Sequence, residues 1–197
     1  MKTILLPTGF SENAWRALSY AASLFGAEPC TYILLNTYSV PMANSLVDVD
    51  DFYKEMHGDS MDELKKLEED FKNLDIHPSS VIEIKSESGY LVPEIIQIEE
   101  SRKIDFVVMG TRGTSGPGEY FFGTNASEAL SKCTCPVICV PLTAQLDLTK
   151  EILFAIDAGG IKYISMIEPI IDICKRFGSK IHFGYVSEEL TDKDKEV

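Results

Sequence analysis

The sequence predicts an α/β fold in which a mainly parallel sheet is covered by helices on both faces. Short, nearly continuous apolar runs alternate with longer segments of helical periodicity along most of the 197 residues. Successive strands that are separated by helices need crossover connections, and such connections make neighbouring strands parallel. Because the predicted strands are apolar on both sides, each face of the sheet must be buried under helices.

The first strand and the first helix carry clear local signals. Residues 3–6 are an apolar run that predicts a buried strand, ending at Pro7. Ser11 is a residue type that caps helix N-termini, and Gly26 is one that commonly follows helix ends. Between them, apolar residues recur at helical spacing: Ala14, Leu18, Ala21, Ala22 and Phe25.

A second strand, a long connection and an acidic helix are predicted next. Residues 32–35 read as the strand, and the connection is expected to run from Thr37 to about Gly58. The helix that follows has one apolar stripe, which we expect to face the core: Met61, Leu64, Leu67, Phe71 and Leu74. Residues 81–84 predict a third strand.

Two more strands complete the predicted sheet. Residues 91–98 show helical spacing, and Pro93 is tolerated there only in the first turn. Residues 106–109 predict the fourth strand, residues 126–132 a helix, and residues 137–140 a fifth strand between two prolines.

The chain then begins the same pattern again. Residues 150–157 echo residues 2–9, and a helical stretch with the same Phe-Gly ending and another apolar strand follow. We therefore expect one domain over residues 1–142 and a partial second repeat over residues 147–197. Strand, helix and strand alone cannot close a doubly wound domain. Either the sequence given is cut short, or the half-repeat packs on the first domain or on a partner.

Composition narrows the class of protein. A formal net charge of −13 argues against broad binding to nucleic acids or to anionic membranes, both of which need basic surfaces. No apolar stretch has the length of a signal peptide core or a membrane span, so a cytoplasmic location is expected. The odd number of cysteines suits a reducing compartment. For the close pair Cys133 and Cys135 we favour a structural role beside a strand over a metal or redox site.

The most informative segment runs from Gly110 to Thr124, between the fourth strand and the following helix. A glycine-rich turn in this position directs backbone N–H groups and the positive end of the helix dipole at one point, which suits a phosphate. In parallel sheets, ligands bind at the carboxyl ends of the strands, near the point where the strand order reverses. The segment therefore predicts a site for a nucleotide or a similar anion.

The spacing within this segment is specific. Gly110, Gly113, Gly123 and Thr124 follow the pattern Gly, two residues, Gly, nine residues, Gly and Ser or Thr. In this strand and helix context the chain resembles the universal stress protein family. Three further stretches agree with that resemblance: Ile-Leu-Leu-Pro-Thr near the start, Phe-Ser-Glu-Asn-Ala opening the first helix, and Val-Val-Met-Gly-Thr-Arg-Gly.

The resemblance covers residues 1 to about 142, and residues 150–186 look like the opening of a second copy, a tandem arrangement known in that family. It implies a flavodoxin-like or Rossmann-like domain whose five-stranded parallel sheet has the order 3-2-1-4-5. It also implies binding of ATP, with Mg²⁺ as an optional companion, a role in the stress response, and pairing of two copies through the fifth strand. The partial repeat is an alternative surface for such pairing.

The same resemblance assigns the phosphate contacts. Gly110 and Gly113 would allow close backbone approach to phosphate oxygens. Gly123, with the N–H groups of Thr124 and Asn125, would hold the terminal phosphates, and the Thr124 hydroxyl could also meet a metal ion. These assignments place the phosphates at the start of the helix that follows the glycine-rich segment.

In the phosphate half of the implied site, Arg112 is either a phosphate contact or an exposed surface arginine. The nucleoside half departs from the family. ATP-binding members carry an Asp just after the first strand, where this chain has Gly9, and losing its hydrogen bond would cost roughly 1 to 3 kcal/mol. The second copy does carry that Asp, as Asp157, but reaches no glycine-rich segment. The remaining expected contacts are Thr8, Gly9, Asn36, Thr37, Tyr38 and Met109.

Three functions stay open at this point. The first is a nucleotide-binding regulatory protein of the universal stress type. The second is a dimerising interaction or chaperone-like module that binds no ATP, which Gly9 favours and the glycine spacing disfavours. The third is an ATP-consuming enzyme with weak ATPase or autophosphorylation activity, ranked last because no nucleophile or general base is apparent. His57, His77 and His182 stand apart and are interpreted as ordinary histidines rather than as ligands.

Overall fold

A parallel sheet of five strands forms the centre of the N-terminal part of the chain. In this computed structural model, residues 1–39, 49–111, 123–146, 150–156 and 167–185 are described, and the chain divides into two compact units, Met1–Leu146 and Asp147–Val197. The strand order β3-β2-β1-β4-β5 confirms the order expected from the sequence. The strands are β1 (Lys2–Pro7), β2 (Cys30–Tyr38), β3 (Val81–Ser88), β4 (Phe106–Gly110) and β5 (Val137–Val140).

Helices cover both faces of this sheet, as predicted. The helices are α1 (Glu12–Phe25), α2 (Val49–Lys72), α3 (Leu91–Ser101) and α4 (Thr124–Lys132). On one face, α1 and α2 pack against the strands through two aromatic pairs, with Phe25 4.9 Å from Phe106 and Tyr32 5.0 Å from Phe71 between ring centroids. On the other face, α3 and α4 bury a second apolar cluster against β1, β2 and β4.

The first helix forms where the sequence predicts it. The Ser11 hydroxyl accepts a hydrogen bond from the Ala14 N–H at 3.2 Å and so caps the N-terminus. All five residues of the predicted apolar stripe are buried, and the helix ends at Gly26, whose N–H donates to the Ala22 carbonyl. A Cβ at Gly26 would lie 2.3 Å from the Asp75 carbonyl oxygen, so only glycine fits this close approach.

The prediction of a connection from Thr37 to about Gly58 was wrong over its second half. Strand β2 continues to Tyr38, and α2 already begins at Val49, with acidic residues in its first turn. Tyr53 and His57 on this early part of α2 pack on Tyr38, with ring centroids 6.0 and 6.2 Å away. This packing outweighs the helix penalty of about 1 kcal/mol at Gly58. Residues 40–48 of the expected connection lie outside the described residues.

The second unit contains a parallel pair of strands and one helix among its described residues. These elements are β6 (Glu151–Ile156), α5 (Glu168–Phe177) and β7 (Lys180–Tyr185), with Glu151 opposite Lys180 and Ile156 opposite Tyr185. Helix α5 ends at Gly178, which adopts the left-handed conformation with φ of 66°. The interpretation of this unit as a second copy of the first stays a prediction, and Asp157 lies outside the described residues.

Within the part of the chain that the structure describes, we find no helix with the length and apolar character needed to cross a membrane.

Candidate functional site

The carboxyl ends of β1, β2 and β4 and the N-termini of α1 and α4 meet at one edge of the sheet. Strand β1 pairs with β2 on one side, with Pro7 opposite Leu35, and with β4 on the other, with Leu5 opposite Val107. All five strands are parallel, but the order in which they are added reverses at this point: β2 and β3 lie on one side of β1, and β4 and β5 lie on the other. Ligand sites of parallel sheets lie at such a reversal, on this edge.

Hydrogen bonds to β2 and to the Thr8 side chain hold the loop after β1. The Thr8 N–H donates to the Leu35 carbonyl at 2.8 Å, and the Thr8 hydroxyl accepts from the Phe10 N–H at 3.0 Å. Phe10 has a φ of 57°, in the left-handed region, and 37% of its surface is exposed. Between these two residues, a Cβ built on Gly9 would meet nothing within 4 Å. The loop therefore has room for a side chain at Gly9.

Asn36 ties this loop to the neighbouring elements through a buried chain of hydrogen bonds. Its Nδ2 donates to the Thr8 carbonyl at 2.8 Å, and its Oδ1 accepts from the Ser60 hydroxyl of α2 at 2.8 Å. The Ser86 hydroxyl of β3 in turn donates to the Ser60 oxygen at 2.7 Å. All four residues are buried. Both ends of the Asn36 amide thus bind within the protein and fix the position of the Thr8 loop.

The end of β2 carries an aromatic cluster. Tyr38 is buried, and its hydroxyl lies 3.4 Å from Nδ1 of His57. Burial raises the pKa of the Tyr38 phenol, and Tyr53 and Glu87 raise it further. The Tyr53 hydroxyl donates to the Ser88 hydroxyl at the end of β3. Thr37, which lies between Asn36 and the cluster, is half-buried. Tyr38 therefore packs α2 onto the end of β2.

At the end of β4, Met109 and Gly110 have different environments. Met109 is buried in the apolar cluster under α3 and α4. Gly110 lies opposite Val140 of β5, and a Cβ on it would come within 2.9 Å of both Cγ and Oδ1 of Asn13. Glycine at this position thus admits the Asn13 side chain of α1, which is itself buried.

The N-terminus of α4 has a glycine as its N-cap and exposed residues in its first turn. Gly123 is its N-cap and provides no side chain, while its carbonyl accepts from the Ser127 N–H at 3.0 Å. Thr124 and Asn125 are exposed, and the first turn contains no acidic residue. The first N–H groups of a helix lack partners inside the helix, and the dipole places partial positive charge there. This end of α4 can therefore accept a negatively charged group.

The two ends of the glycine-rich segment are bonded to each other. The Gly123 N–H donates to the Thr111 carbonyl at 2.7 Å, and the Thr111 N–H donates to the Val140 carbonyl at 3.1 Å. Gly110 and Gly123, predicted phosphate contacts from opposite ends of the segment, are thus brought to one edge. The predicted contacts Arg112 and Gly113 lie outside the described residues.

Sequence reasoning missed three residues that shape this edge: Asn13, Ser60 and Ser86. Asn13 stands in the Phe-Ser-Glu-Asn-Ala stretch, and the available signal was its polar side chain directly before Ala14, the first apolar position of the predicted helix. Among the residues that the structure describes, no group of three His, Cys, Asp or Glu side chains is placed to hold a metal ion.

The turn between α4 and β5 contains the close cysteine pair. The Glu99 carboxylate of α3 accepts hydrogen bonds from the Thr134 N–H at 3.1 Å and the Cys135 N–H at 2.8 Å. Burial raises the pKa of the Cys133 thiol to about 11, with a smaller effect of Glu99. Burial and the hydrogen bond to Glu99 raise the pKa of Cys135 as well. Both are free thiols that pack against the apolar cluster, in the uncharged form that suits a structural role.

Comparison with known sequences points to one family. The sequence model of the universal stress protein family matches residues 1–141. Universal stress protein MJ0531 of Methanocaldococcus jannaschii is 26% identical over 145 residues, which cover 71% of this chain and 81% of that protein. A universal stress protein of Thermus aquaticus is 27% identical over 144 residues, covering 71% of this chain and 98% of the relative.

Solved structures show the same fold. A universal stress protein from Archaeoglobus fulgidus matches 98% of this chain and 69% of its own, with a TM-score of 0.74 and 24% identity. The protein MJ0577 matches 73% of this chain and 98% of its own, with a TM-score of 0.60 and 26% identity. A universal stress protein solved in complex with cAMP matches 71% of this chain and 96% of its own, with a TM-score of 0.53 and 20% identity. Because the family match spans residues 1–141, well over half of the sequence, this chain belongs to the universal stress protein family.

Proposed function

We propose that this chain is a nucleotide-binding regulatory protein of the stress response, with ATP as its ligand. The observation that carries the proposal is the N-terminus of α4 at the reversal of strand order, where Gly123 leaves the first N–H groups without a side-chain cap. The phosphates would bind there, against Thr124 and Asn125 and the segment that contains Arg112 and Gly113. One protein of this fold has been solved with the nucleotide cAMP, which supports the ligand class.

The nucleoside would lie beside the loop after β1. Thr8 and Gly9 form this loop, and the Asn36 amide of β2 holds it through a hydrogen bond to the Thr8 carbonyl. Asn36, Tyr38 and Met109 then act as supports rather than as direct contacts, because their side chains are buried. Mg²⁺ would be brought by the phosphates, with the Thr124 hydroxyl as a protein ligand. ATP serves as a conformational ligand in this proposal, and turnover is not required.

Gly9 limits the affinity that we expect. The family Asp at this position would hydrogen-bond the nucleoside, and this chain lacks that bond. Because a Cβ at Gly9 meets nothing and the residue does not adopt a left-handed φ, an Asp can be introduced without a clash. If its carboxylate regains one charge-assisted hydrogen bond, worth about 1.5 to 3 kcal/mol, the Gly9→Asp variant should bind ATP at least tenfold more tightly.

The matched control for this variant is Gly58→Asp. Gly58 is an exposed glycine on α2 whose Cβ would also meet nothing, so the substitution adds the same side chain and the same charge on the exposed face of α2. Affinity for ATP with Mg²⁺ is measured by calorimetry, with the shift in melting temperature as a second readout. The proposal predicts tighter binding for Gly9→Asp and unchanged binding for Gly58→Asp. An absence of any binding or melting shift at millimolar ATP in wild type and in Gly9→Asp would refute it.

A second pair of variants tests the phosphate end. Thr124→Glu places a negative charge in the first turn of α4, which should repel phosphate but favour the helix dipole by about 0.3 to 1 kcal/mol. Binding and stability should therefore move in opposite directions. Ser131→Glu, on the exposed last turn of the same helix, adds the same charge at the other end and should leave ATP binding unchanged. Equal ATP affinity in the two variants would place the phosphates elsewhere.

A second candidate function is a dimerising interaction or chaperone-like module that binds no ATP. The absent Asp at Gly9 favours it. Strand β5 lies at the end of the described sheet and would supply the pairing edge, with the second unit as the alternative surface. In this case the oligomeric state and the partner binding would be the same for wild type, Gly9→Asp and Thr124→Glu, with and without nucleotide. A steady-state phosphate-release assay separates both candidates from an ATP-consuming enzyme.

A further inference from the structure

The buried side chain of Asn13 links the ends of two strands at the candidate site. Asn13, near the start of α1, is 7% exposed. Its Nδ2 donates to the Val140 carbonyl at the end of β5, over a distance of 2.9 Å. Its Cγ and Oδ1 occupy the space beside Gly110, where a Cβ would lie only 2.9 Å away. Asn13 therefore contacts the ends of both β4 and β5.

The Val140 carbonyl that Asn13 binds also accepts the hydrogen bond from the Thr111 N–H, at 3.1 Å. The Thr111 carbonyl then accepts from the Gly123 N–H at 2.7 Å. We use the word neck for this Thr111 and Gly123 pair. A continuous series of contacts thus runs from α1 through Asn13 and Val140 to the neck, and from the neck into the first turn of α4.

Packing alone does not explain an amide at this position. The neighbouring buried side chains of α1, such as Ala14, Ala17 and Leu18, are apolar, and burying an amide is unfavourable unless it is hydrogen-bonded. The Asn13 amide meets this requirement by binding a carbonyl that is already part of the neck. A carbonyl held by two donors is fixed in position, whereas one held by a single backbone donor can tilt.

We propose that Asn13 is a positioning residue for the anion site: it fixes the Val140 carbonyl, and through it the neck, so that the N–H groups of α4 are aimed at one point. The ligand part of this inference rests on the proposed function. The ordering of the neck does not, because it is a property of the protein without ligand. Anion sites need their donors held to within about 0.5 Å, which gives such a residue an effect on affinity.

The test compares three variants of the full chain. Asn13→Ala removes the amide, and Asn13→Asp keeps its size but replaces the Nδ2 donor with an oxygen. Ser80→Ala is the control: the Ser80 hydroxyl accepts from the Cys30 N–H at 3.1 Å at the start of β2, so the variant loses one hydrogen bond at the opposite edge of the sheet. Hydrogen exchange of the Thr111 and Gly123 amides is measured by NMR without ligand, and ATP affinity by calorimetry.

We expect the two neck amides to exchange about tenfold faster in Asn13→Ala and Asn13→Asp, relative to amides in the centre of β1 and β2. ATP affinity should fall about tenfold in the same variants. In Ser80→Ala the melting temperature should fall while the relative exchange of the neck and the ATP affinity stay at wild-type values. An equal rise of exchange throughout the sheet, or unchanged neck amides in Asn13→Asp, would overturn the inference.

A double-mutant cycle tests the contact between Asn13 and Gly110 through stability alone, and Asn13→Ser replaces Asn13→Ala in it if the alanine variant is poorly folded. Gly110→Ala should be strongly destabilising in wild type, because the new methyl group meets Asn13, and less so in the Asn13→Ala background. Strict additivity would contradict the contact on which the inference depends. If neither wild type nor Gly9→Asp binds ATP, the proposed function fails, and hydrogen exchange of the neck amides in Asn13→Asp then decides the positioning role by itself.

Discussion

Replacing Asn36 by alanine should destabilise the first unit far more than an exposed substitution would. Two buried hydrogen bonds of 2.8 Å are lost, one to the Thr8 carbonyl and one from the Ser60 hydroxyl. Losing a hydrogen bond whose partner finds another costs about 1 kcal/mol net, whereas leaving a buried group without any partner costs about 1 to 3 kcal/mol. Ser60 keeps its contact with Ser86, so the penalty falls mainly on Thr8. We expect a loss of about 2 to 4 kcal/mol, a large fraction of the 5 to 15 kcal/mol typical of a domain.

The assay is urea unfolding followed by tryptophan fluorescence. Trp15, the single tryptophan of the chain, lies in α1, so the signal reports on the first unit. Asn36→Asp is the informative companion, because it keeps the size and the acceptor for Ser60 but loses the donor to Thr8. It should be destabilised by a similar amount at neutral pH.

A cycle with Ser60→Ala tests whether the hydrogen bonds act together. Neighbours in one network typically show coupling of 0.5 to 3 kcal/mol, whereas independent sites add within about 0.5 kcal/mol. A loss below about 1 kcal/mol for Asn36→Ala, or strict additivity with Ser60→Ala, would refute the structural role assigned to Asn36. In that case Asn36 would be free to serve as a direct ligand contact.

Two further predictions concern the turn between α4 and β5. Burial raises the pKa of the Glu99 carboxyl, but hydrogen bonds from Cys135 and Thr134 outweigh burial and leave the pKa below its ordinary 4.5. A lowered pKa stabilises the fold above pH 4.5, and this stabilisation is lost as pH falls through the folded-state pKa. Glu99→Gln should therefore melt below wild type at pH 7, with a gap that closes as pH falls below 4.5; a gap that stays constant in melting scans would contradict this. Cys133, with its pKa raised from 9.0 to about 11, should react with iodoacetamide at pH 8 about a hundredfold more slowly than a peptide thiol, and labelling at the peptide rate, read by mass spectrometry, would show that the thiol is not buried.

Much of the fold follows from local signals together with the family resemblance. The Ser11 cap, the apolar stripe of α1 and the strand order are all as expected. The start of α2 was missed because its local signal is weak. Val49, Phe52 and Met56 stand at helical spacing, but the stretch is short and Gly58 separates it from the apolar stripe that begins at Met61. The structure adds the packing of Tyr53 and His57 on Tyr38, which the sequence does not show.

The position of the candidate site could be predicted from the sequence, but the buried side chains that hold its loops in place could not. The glycine spacing points to the end of β4 and the start of α4 from sequence alone. The bonds of Asn36 depend on the register that sets it opposite Ser86, and on the rotation of α2 that brings Ser60 between them. The contact of Asn13 with Gly110 likewise depends on how α1 lies across the sheet. Sequence motifs record the residues that touch a ligand more readily than the residues that hold those in place.

The hydrogen bond from the Gly123 N–H to the Thr111 carbonyl also affects which sequence changes this protein can tolerate. Because the two ends of the glycine-rich segment are joined at 2.7 Å, the path of the chain into α4 is set by those ends and not by what lies between them. The entropy of closing a loop changes only slowly with its length. Insertions, deletions or exchanges between residues 111 and 123 are therefore expected to leave the sheet and α4 in their positions, so variants of this segment would offer a way to test, and to alter, the ligand of the proposed site.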